Sequence, residues 1–232
     1  MVDVESVTAL VPIKEHSQRI PRKNFRPFIG EPLYFHILQM LQGVDEVGRI
    51  IIDTDSPRVA SEAPEHFSKV QTIDRPARLR GDIISVNRII EYDISQVRGE
   101  LYLQTHATNP LLSSQTISLA IQHFRNSSIH DSLFGVNRFQ SRFYDQEGRA
   151  INHDASQLIQ TQDLRPVYEE NSCIYLFTSD SFAVTGARIG VRPLMFEVPR
   201  WESVDIDDEE GWGIAESLAS VGQKNPPKWE DI

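Results

Sequence analysis

The chain has 232 residues, 40% of them apolar, which is enough for one sizeable hydrophobic core. A formal net charge of −10 argues against a broad nucleic-acid-binding face, because nucleic acids are bound through basic surface. The single cysteine excludes an intrachain disulfide. The sequence has neither a secretory signal pattern nor an apolar run of about 18 residues, so we expect a cytoplasmic protein without a membrane partner.

Apolar runs that are typical of buried strands alternate with amphipathic segments along the first half of the chain. The predicted strands cover residues 7–13, 49–53, 69–73 and 100–105. Pro32, the Ser56-Pro57 pair and Ser85 each precede apolar residues at helical spacing, so we predict that three helices begin near these points. The first of these helices has one apolar face, formed by Leu33, Ile37, Leu38 and Leu41.

The second half of the chain continues this alternation. A helix is predicted around residues 117–124, strands at 132–136, 173–178 and 194–198, and a final helix around 212–219. Strands that alternate with helices favour an α/β fold with a mainly parallel sheet flanked by helices on both faces. Ligands of such sheets bind beyond the carboxyl ends of the strands, so the loops that follow the strands are the candidate site.

The segment 138–161 interrupts the alternation. It is polar, with charged and amide side chains around a few aromatic residues. We interpret it as a hairpin arm that leaves the main sheet. Because an arm of this kind cannot bury both of its faces alone, a partner subunit is its expected cover. We therefore predict a single domain over residues 1–232, with 138–161 as an inserted dimerisation arm of a homodimer.

The loop after the first strand is rich in cations. Within ten residues it holds Lys14, Arg19, Arg22 and Lys23. Ammonium and guanidinium groups at this place could wrap a triphosphate. From composition alone, a solvated loop with a basic bias is the simpler interpretation. The position of the loop directly after the first strand makes this interpretation and triphosphate binding about equally well supported. The loop lacks the glycines and the GK[ST] ending of a Walker A motif.

Two aspartates precede the final helix. In an extended segment, Asp205 and Asp207 would point to the same side, where two carboxylates repel each other unless a cation lies between them. Carboxylate and phosphate oxygens are ligands that Mg²⁺ prefers. The alternative is an acidic helix start favoured by the helix dipole. That alternative explains the acidic residues 208–210 better than it explains the two aspartates.

Three further loops are ambiguous. The Asp53-Thr54-Asp55 run is most simply a cap for the following helix. Residues 75–82 could bind a base or phosphate, or form an arginine-rich turn. In residues 103–112, Gln104 could bond a sugar hydroxyl, whereas a lone His106 is more typical of a satisfied loop histidine than of a catalytic base.

Taken together and in this order, these stretches resemble the acylneuraminate cytidylyltransferase family, the CMP-sialic acid synthetases. The family's opening loop PARGGSKGIPRKN is PIKEHSQRIPRKN here, and its STD is Asp53-Thr54-Asp55. Its RPAELASD and LQPTSPLR resemble residues 75–82 and 103–112, the latter with two extra residues. Its RQDLP…NGAIY resembles residues 162–164 and 171–175, and its SxDIDT resembles 203–208.

The resemblance implies a Rossmann-like sheet of the nucleotide-diphospho-sugar transferase type, a dimer formed through the arm, and Mg²⁺ (or Mn²⁺) as cofactor. It implies that CMP from CTP is joined to the anomeric hydroxyl of a sialic-acid-like 2-keto sugar acid, with release of pyrophosphate. Asp205 and Asp207 would hold the metal and act in catalysis with Lys23. The implied substrate-binding residues are Lys14, Ser17, Asn24, Arg75, Asp82, Gln104, Gln162 and Asn171.

The chain departs from the family pattern at several charged or glycine positions. Glu15 and His16 replace paired glycines, and Thr161 replaces an arginine that lies near the sugar carboxylate in the family. Gln18 stands where the family has lysine, Glu169 where it has a basic residue, and Leu112 where it has arginine. Sugar-side cations are therefore missing, and the candidate substitutes are Arg142, Arg149 and Arg165. Two alternatives follow: a related transferase for another sugar or nucleotide, and a non-catalytic nucleotide-binding relative.

Overall fold

The computed structural model describes residues 6–224, with side chains to residue 221. The strands are β1 (Val7–Leu10), β2 (Pro27–Phe28), β3 (Glu31–Pro32), β4 (Val47–Thr54), β5 (Val70–Asp74), β6 (Leu101–Gln104), β7 (Ser132–Phe139), β8 (Val167–Thr178) and β9 (Pro193–Glu197). The helices are α1 (Leu33–Gln42), α2 (Pro57–His66), α3 (Val86–Gln96), α4 (Ser114–Arg125), α5 (Ser179–Thr185) and α6 (Glu209–Lys224). Within this part of the chain, no helix is long and apolar enough to cross a membrane.

The central sheet has the strand order β5-β4-β1-β6-β8-β7-β9. The four strands from β5 to β6 are parallel, β8 is antiparallel to both of its neighbours, and β9 is parallel to β7. The predicted mainly parallel sheet is thus confirmed, and the reversed β8 is an addition to it. Because β1, β4 and β6 run in one direction, their carboxyl ends meet at one edge of the sheet. The loops after these three strands therefore lie together.

The predicted helix starts are confirmed by their capping contacts. Ser56 Oγ accepts from the amide of Val59 at 3.3 Å, and Ser85 Oγ accepts from the amide of Asn87 at 3.2 Å. Pro32 lies one residue before α1 rather than in its first turn. The apolar face predicted for α1 is fully buried. The short helix α5, which was not predicted, is capped by Thr178.

A separate apolar cluster ties the opening loop to the last helix. Its centre is Trp212 of α6, which is 2% exposed. The cluster comprises Ile20, Phe28, Leu33, Ile206, Trp212 and Ala215. Arg26 covers this contact, with its guanidinium carbon 4.1 Å from the Trp212 ring centre and two bonds of 2.7 and 2.8 Å to Glu209. We call this group the Trp212 cluster. It holds together segments that are distant in sequence.

The segment 138–161 is only partly an arm. Its first two residues belong to β7, and most of the rest is irregular around a turn closed by a bridge between Tyr144 and Ala150. Several of its apolar side chains are open to solvent. Leu158 is 91% exposed, Ile151 is 59% exposed and Tyr144 is 52% exposed. The predicted dimer contact through this segment stays a prediction.

The turn between β2 and β3 contains a strained residue. The pairing of Phe28 with Glu31 leaves a two-residue loop, Ile29-Gly30, with φ angles of 46° and 93°. Positive φ at both positions is the requirement of a type I′ turn, which favours Asn-Gly. A β-branched residue is disfavoured there because its side chain crowds the backbone. Ile29 is 36% exposed, so burial of its side chain is incomplete.

We expect Ile29→Asn to increase the free energy of unfolding by about 1 kcal/mol, because asparagine tolerates the left-handed conformation. Urea unfolding with a linear extrapolation measures the change. Ile29→Val is the matched control, because it keeps the branched side chain and should give no gain. Equal stability of the asparagine variant and the wild type would contradict the assignment of strain.

Candidate active site

A cleft lies at the carboxyl edge of the sheet, where the loop after β1, the loop after β6 and the segment before α6 meet. Eight of the predicted site residues line this cleft: Lys14, Ser17, Lys23, Asn24, Arg75, Asp82, Asp205 and Asp207. The cationic loop and the paired aspartates therefore share one cleft, although more than 180 residues separate them in sequence. This convergence is the arrangement on which the sequence prediction depended.

Lys23 joins the two halves of the cleft. Its side chain is buried, and Nζ donates to the carbonyl of Ile206 at 2.6 Å. The same Nζ lies 3.7 Å from Asp207 Oδ1, and Arg19 Nη2 lies 2.7 Å from that oxygen. Burial lowers the pKa of Lys23, and the negative charge of Asp207 opposes this shift. The ammonium is thus fixed beside the carboxylate pair by the backbone.

The two aspartates lie in an irregular segment rather than in a regular strand, because β9 already stops at Glu197. The amide of Ile206 donates to the carbonyl of Thr108 at 2.9 Å, which fixes the segment against the loop after β6. Asp205 opens onto the cleft, yet the surrounding protein removes part of its hydration and raises its pKa, to which the charge of Asp207 adds. Both carboxylates line the cleft, as predicted.

Other predicted residues shape the opening loop. Lys14 forms an ion pair with Asp82, whose second oxygen accepts from Gln18 Nε2 at 2.6 Å, and the Lys14 contact lowers the pKa of Asp82. Asn24 Nδ2 donates to the carbonyl of Lys14 at 2.9 Å, so it fixes the loop. Asp55 accepts from the amide of Glu15 at 2.8 Å, so it supports the same loop rather than capping α2.

Arg75 borders the cleft, but its guanidinium is engaged beneath the surface. It forms a buried ion pair with Asp53, and its Nη2 donates to the Asp53 carbonyl at 3.0 Å. Asp93, which is 1% exposed, lies beside this pair. Burial, and then the negative charge of Asp53, raises the pKa of Asp93 to about 9. The ion pair supplies the counter-charge of Asp53, and the predicted substrate contact through Arg75 stays a prediction.

Three predicted substrate-binding residues are not among those that line the cleft. Gln104 is fully buried, and its Nε2 donates to the Thr105 carbonyl at 2.7 Å. Asn171 Nδ2 donates to Asn137 Oδ1 at 3.1 Å, so its amide faces β7. Gln162 lies in an exposed turn after the arm, outside the residues that line the cleft. Each amide was assigned from its motif alone, and a motif does not specify the direction of a side chain.

Among the polar residues that line the cleft, Thr108, Ser172 and Arg188 were not singled out from the sequence. Ser172 has a φ of 60° and stands where the resembled family has glycine, which is the one sequence signal for this position. Arg188 follows α5 in a stretch without a motif. The candidate substitutes Arg142 and Arg149 instead bind the Ile159 carbonyl and Asp145 within the arm.

His106 also lines the cleft. Burial, with the nearby charges of Arg188 and Lys23, lowers its pKa to about 4. The ring is therefore neutral at neutral pH. Its Nε2 lies 3.3 Å from Gln104 Nε2 and 3.4 Å from an Arg188 Nη. This setting agrees with the interpretation of a satisfied loop histidine.

Asp205 and Asp207 are the predicted donors for a metal, and both line the cleft. Among the described side chains, no group of three or more His, Cys, Asp or Glu residues could hold a metal ion. Mg²⁺ needs no such group, since it is commonly bound by one or two carboxylates together with substrate phosphates and water. Asp205 and Asp207 fit this pattern. They suit an ion that arrives with a triphosphate rather than one enclosed by protein.

Sequence comparisons agree with the motifs. Residues 8–192 match the family model described as cytidylyltransferase. A CMP-N,N'-diacetyllegionaminic acid synthase of Legionella pneumophila is 23% identical over 228 residues, covering 94% of this chain and 98% of that protein. A pseudaminic acid cytidylyltransferase of Campylobacter jejuni is 24% identical over 231 residues, covering 93% and 97%.

Solved structures share the fold. A CMP:2-keto-3-deoxy-manno-octonic acid synthetase complexed with CTP aligns with a TM-score of 0.63 and 14% identity, over 94% of this chain and 100% of that one. A 4-diphosphocytidyl-2C-methyl-D-erythritol synthase from Anaerococcus prevotii aligns with a TM-score of 0.67 and 9% identity over the same shares. The predicted fold class, a Rossmann-like α/β sheet of the nucleotide-sugar transferase type, is confirmed.

Proposed function

Because the chain belongs to the cytidylyltransferase family, we propose that it transfers CMP from CTP to the anomeric hydroxyl of a sialic-acid-like sugar acid and releases pyrophosphate. The observation that carries this proposal is the shared cleft of the cationic opening loop with Asp205 and Asp207. The named relatives add support, since their names specify acidic sugars such as legionaminic and pseudaminic acid.

In the proposed reaction, the sugar hydroxyl attacks the α-phosphorus of CTP, and the bond from that phosphorus to the bridging oxygen of pyrophosphate breaks. Lys23 and Arg19 offset charge on the phosphates, and either aspartate can accept the proton of the attacking hydroxyl. Asp205 and Asp207 would hold Mg²⁺ (or Mn²⁺), which when bound supplies positive charge to the phosphates.

We also propose a homodimer that covers the exposed apolar side chains of the 138–161 segment. Leu158, Ile151 and Tyr144 are more than half exposed. Exposed apolar side chains favour a protein partner, and identical subunits are the commonest one. CTP as the proposed donor is consistent with the expected cytoplasmic location.

A pyrophosphate-release assay tests the proposed function. Each nucleoside triphosphate is combined with Mg²⁺ and a panel of acids: N,N'-diacetyllegionaminic acid, pseudaminic acid, N-acetylneuraminic acid and 3-deoxy-manno-octulosonate. Turnover with CTP and one of these acids is expected. Turnover only with another triphosphate would indicate a related transferase. CTP binding without turnover would indicate a non-catalytic relative.

We expect Lys23→Met to weaken CTP binding about 10- to 100-fold, because a buried ammonium that contacts phosphate is lost while its aliphatic length is kept. Isothermal titration calorimetry measures the affinity. Arg98→Met is the matched control, since it removes one exposed charge just before β6, at the opposite edge of the sheet. An unchanged CTP affinity in the Lys23 variant would place the opening loop outside the nucleotide site.

A further inference from the structure

The cations of the cleft differ in their partners. Lys14 is paired with Asp82, and both Arg19 and Lys23 face Asp207. Arg188 lines the same cleft, but within the described part of the chain no carboxylate oxygen lies within 4.0 Å of its guanidinium. A half-buried guanidinium without a counter-ion is unfavourable unless a ligand supplies the anion.

Neutral contacts hold the Arg188 side chain in place. Its guanidinium carbon lies 3.9 Å from the Tyr175 ring centre, and one Nη donates to Gln104 Oε1. The Gln104 amide has a fixed orientation, because its Nε2 is bound to the Thr105 carbonyl at 2.7 Å. Glu170, the nearby carboxylate, accepts from the Tyr175 hydroxyl. Gln104 therefore acts as a positioning residue, and the remaining donors of the guanidinium stay available.

The cleft has two parts. One part is bordered by Asn24, Arg75 and Gly81, and the other by Ser172, Arg188 and the two aspartates. Both parts share Lys14, Lys23 and His106. The opening loop lines both parts, so the region beside Arg75 and Gly81 suits the nucleotide and the region beside the aspartates and Arg188 suits the acceptor.

We propose that Arg188 binds the carboxylate of the acceptor sugar acid and is a specificity-determining residue of this chain. The inference rests on the proposed function. In a 2-keto sugar acid, the carboxylate is attached to the anomeric carbon, so it is a neighbour of the hydroxyl that attacks. A group that recognises it must therefore line the same part of the cleft as Asp205 and Asp207, and Arg188 does. A guanidinium matches a carboxylate through two parallel hydrogen bonds.

The experiment measures steady-state constants for wild type, Arg188→Gln and Arg188→Lys, with Arg192→Gln as the matched control. Arg192 lies four residues further along the same loop and is exposed. The acceptor is the acid of the panel that the wild type uses fastest, together with its carboxamide. We expect Arg188→Gln to increase KM for the acid about 10- to 100-fold and to leave the calorimetric affinity for CTP within about twofold.

Two further results distinguish recognition from a merely structural role. The wild type should prefer the acid over its carboxamide, and Arg188→Gln should lose that preference. Arg188→Lys should be intermediate, because it keeps the charge and loses the two-bond geometry. Arg188→Lys also provides the test of the inference if Arg188→Gln fails to fold.

Several outcomes would overturn the inference. Equal KM for the acid in wild type and Arg188→Gln would exclude the carboxylate contact. A parallel loss of CTP affinity would assign Arg188 to a phosphate. Lack of wild-type turnover with CTP and every acid would refute the proposed function and this inference with it, whereas the first two outcomes refute only the inference.

Discussion

Asp207→Asn is expected to lower kcat by at least about a thousandfold, because the substitution keeps the shape of the side chain and removes its charge. Asp207 faces Arg19 at 2.7 Å and Lys23 at 3.7 Å, so it balances the cations of the opening loop as well as being a proposed metal ligand. Pyrophosphate release at saturating CTP, sugar acid and Mg²⁺ measures the loss.

The affinity for CTP without metal separates the two roles of Asp207. Loss of the carboxylate leaves Arg19 and Lys23 free to contact phosphate, so this affinity should be equal or higher in the variant. Asp208→Asn is the matched control, because Asp208 Oδ1 accepts from the Gly211 amide at 2.8 Å and asparagine can do the same. A near-normal rate in Asp207→Asn would remove the metal assignment.

Arg75→Met is expected to lower the free energy of unfolding by about 3–5 kcal/mol, because Asp53 would remain buried without its counter-charge. Asp53 is fully buried and Arg75 is 3% exposed, so water cannot replace the lost contact. Urea unfolding measures the change. Arg88→Met is the control: its exposed pair with Glu91 at 3.0 Å should contribute less than about 1 kcal/mol.

A double substitution tests the cause of this loss. Asp53→Asn combined with Arg75→Met removes both charges, and the double variant should recover much of the stability lost by the single one. A loss below about 1 kcal/mol in Arg75→Met, or no recovery in the double variant, would show that the ion pair contributes little. Either result would favour the predicted substrate contact of Arg75 over a structural role.

The elements of the fold could largely be predicted because their signals are local. A serine cap followed by apolar residues at helical spacing was enough for α2 and α3. The direction of β8 could not be predicted, because its buried half has the composition of a parallel strand. Its direction depends on the connection from β7, where the described structure has no crossover helix to bring the chain back to the starting edge.

A site residue could be predicted where the position of its backbone in the fold places it at the cleft. It could not be predicted where its role depends on which side chain it contacts. Lys23 lies in the loop after β1, and Asp207 lies just before α6, so topology alone brings both to the carboxyl edge of the sheet. The ion pair of Arg75 could not be predicted, because its partner, Asp53, lies 22 residues away and looked like a helix cap. Arg188 was missed because its contact with Gln104 spans 84 residues and neither stretch predicts the other.

The Trp212 cluster has a consequence for how the protein matures during synthesis. All the sheet strands precede residue 198, whereas Asp205, Asp207 and the helix that braces the opening loop come later. A nascent chain can therefore complete its sheet before its binding site is formed. Nucleotide binding would then indicate that α6 has packed against the opening loop. A chain in which α6 fails to pack there would have a folded sheet but no activity.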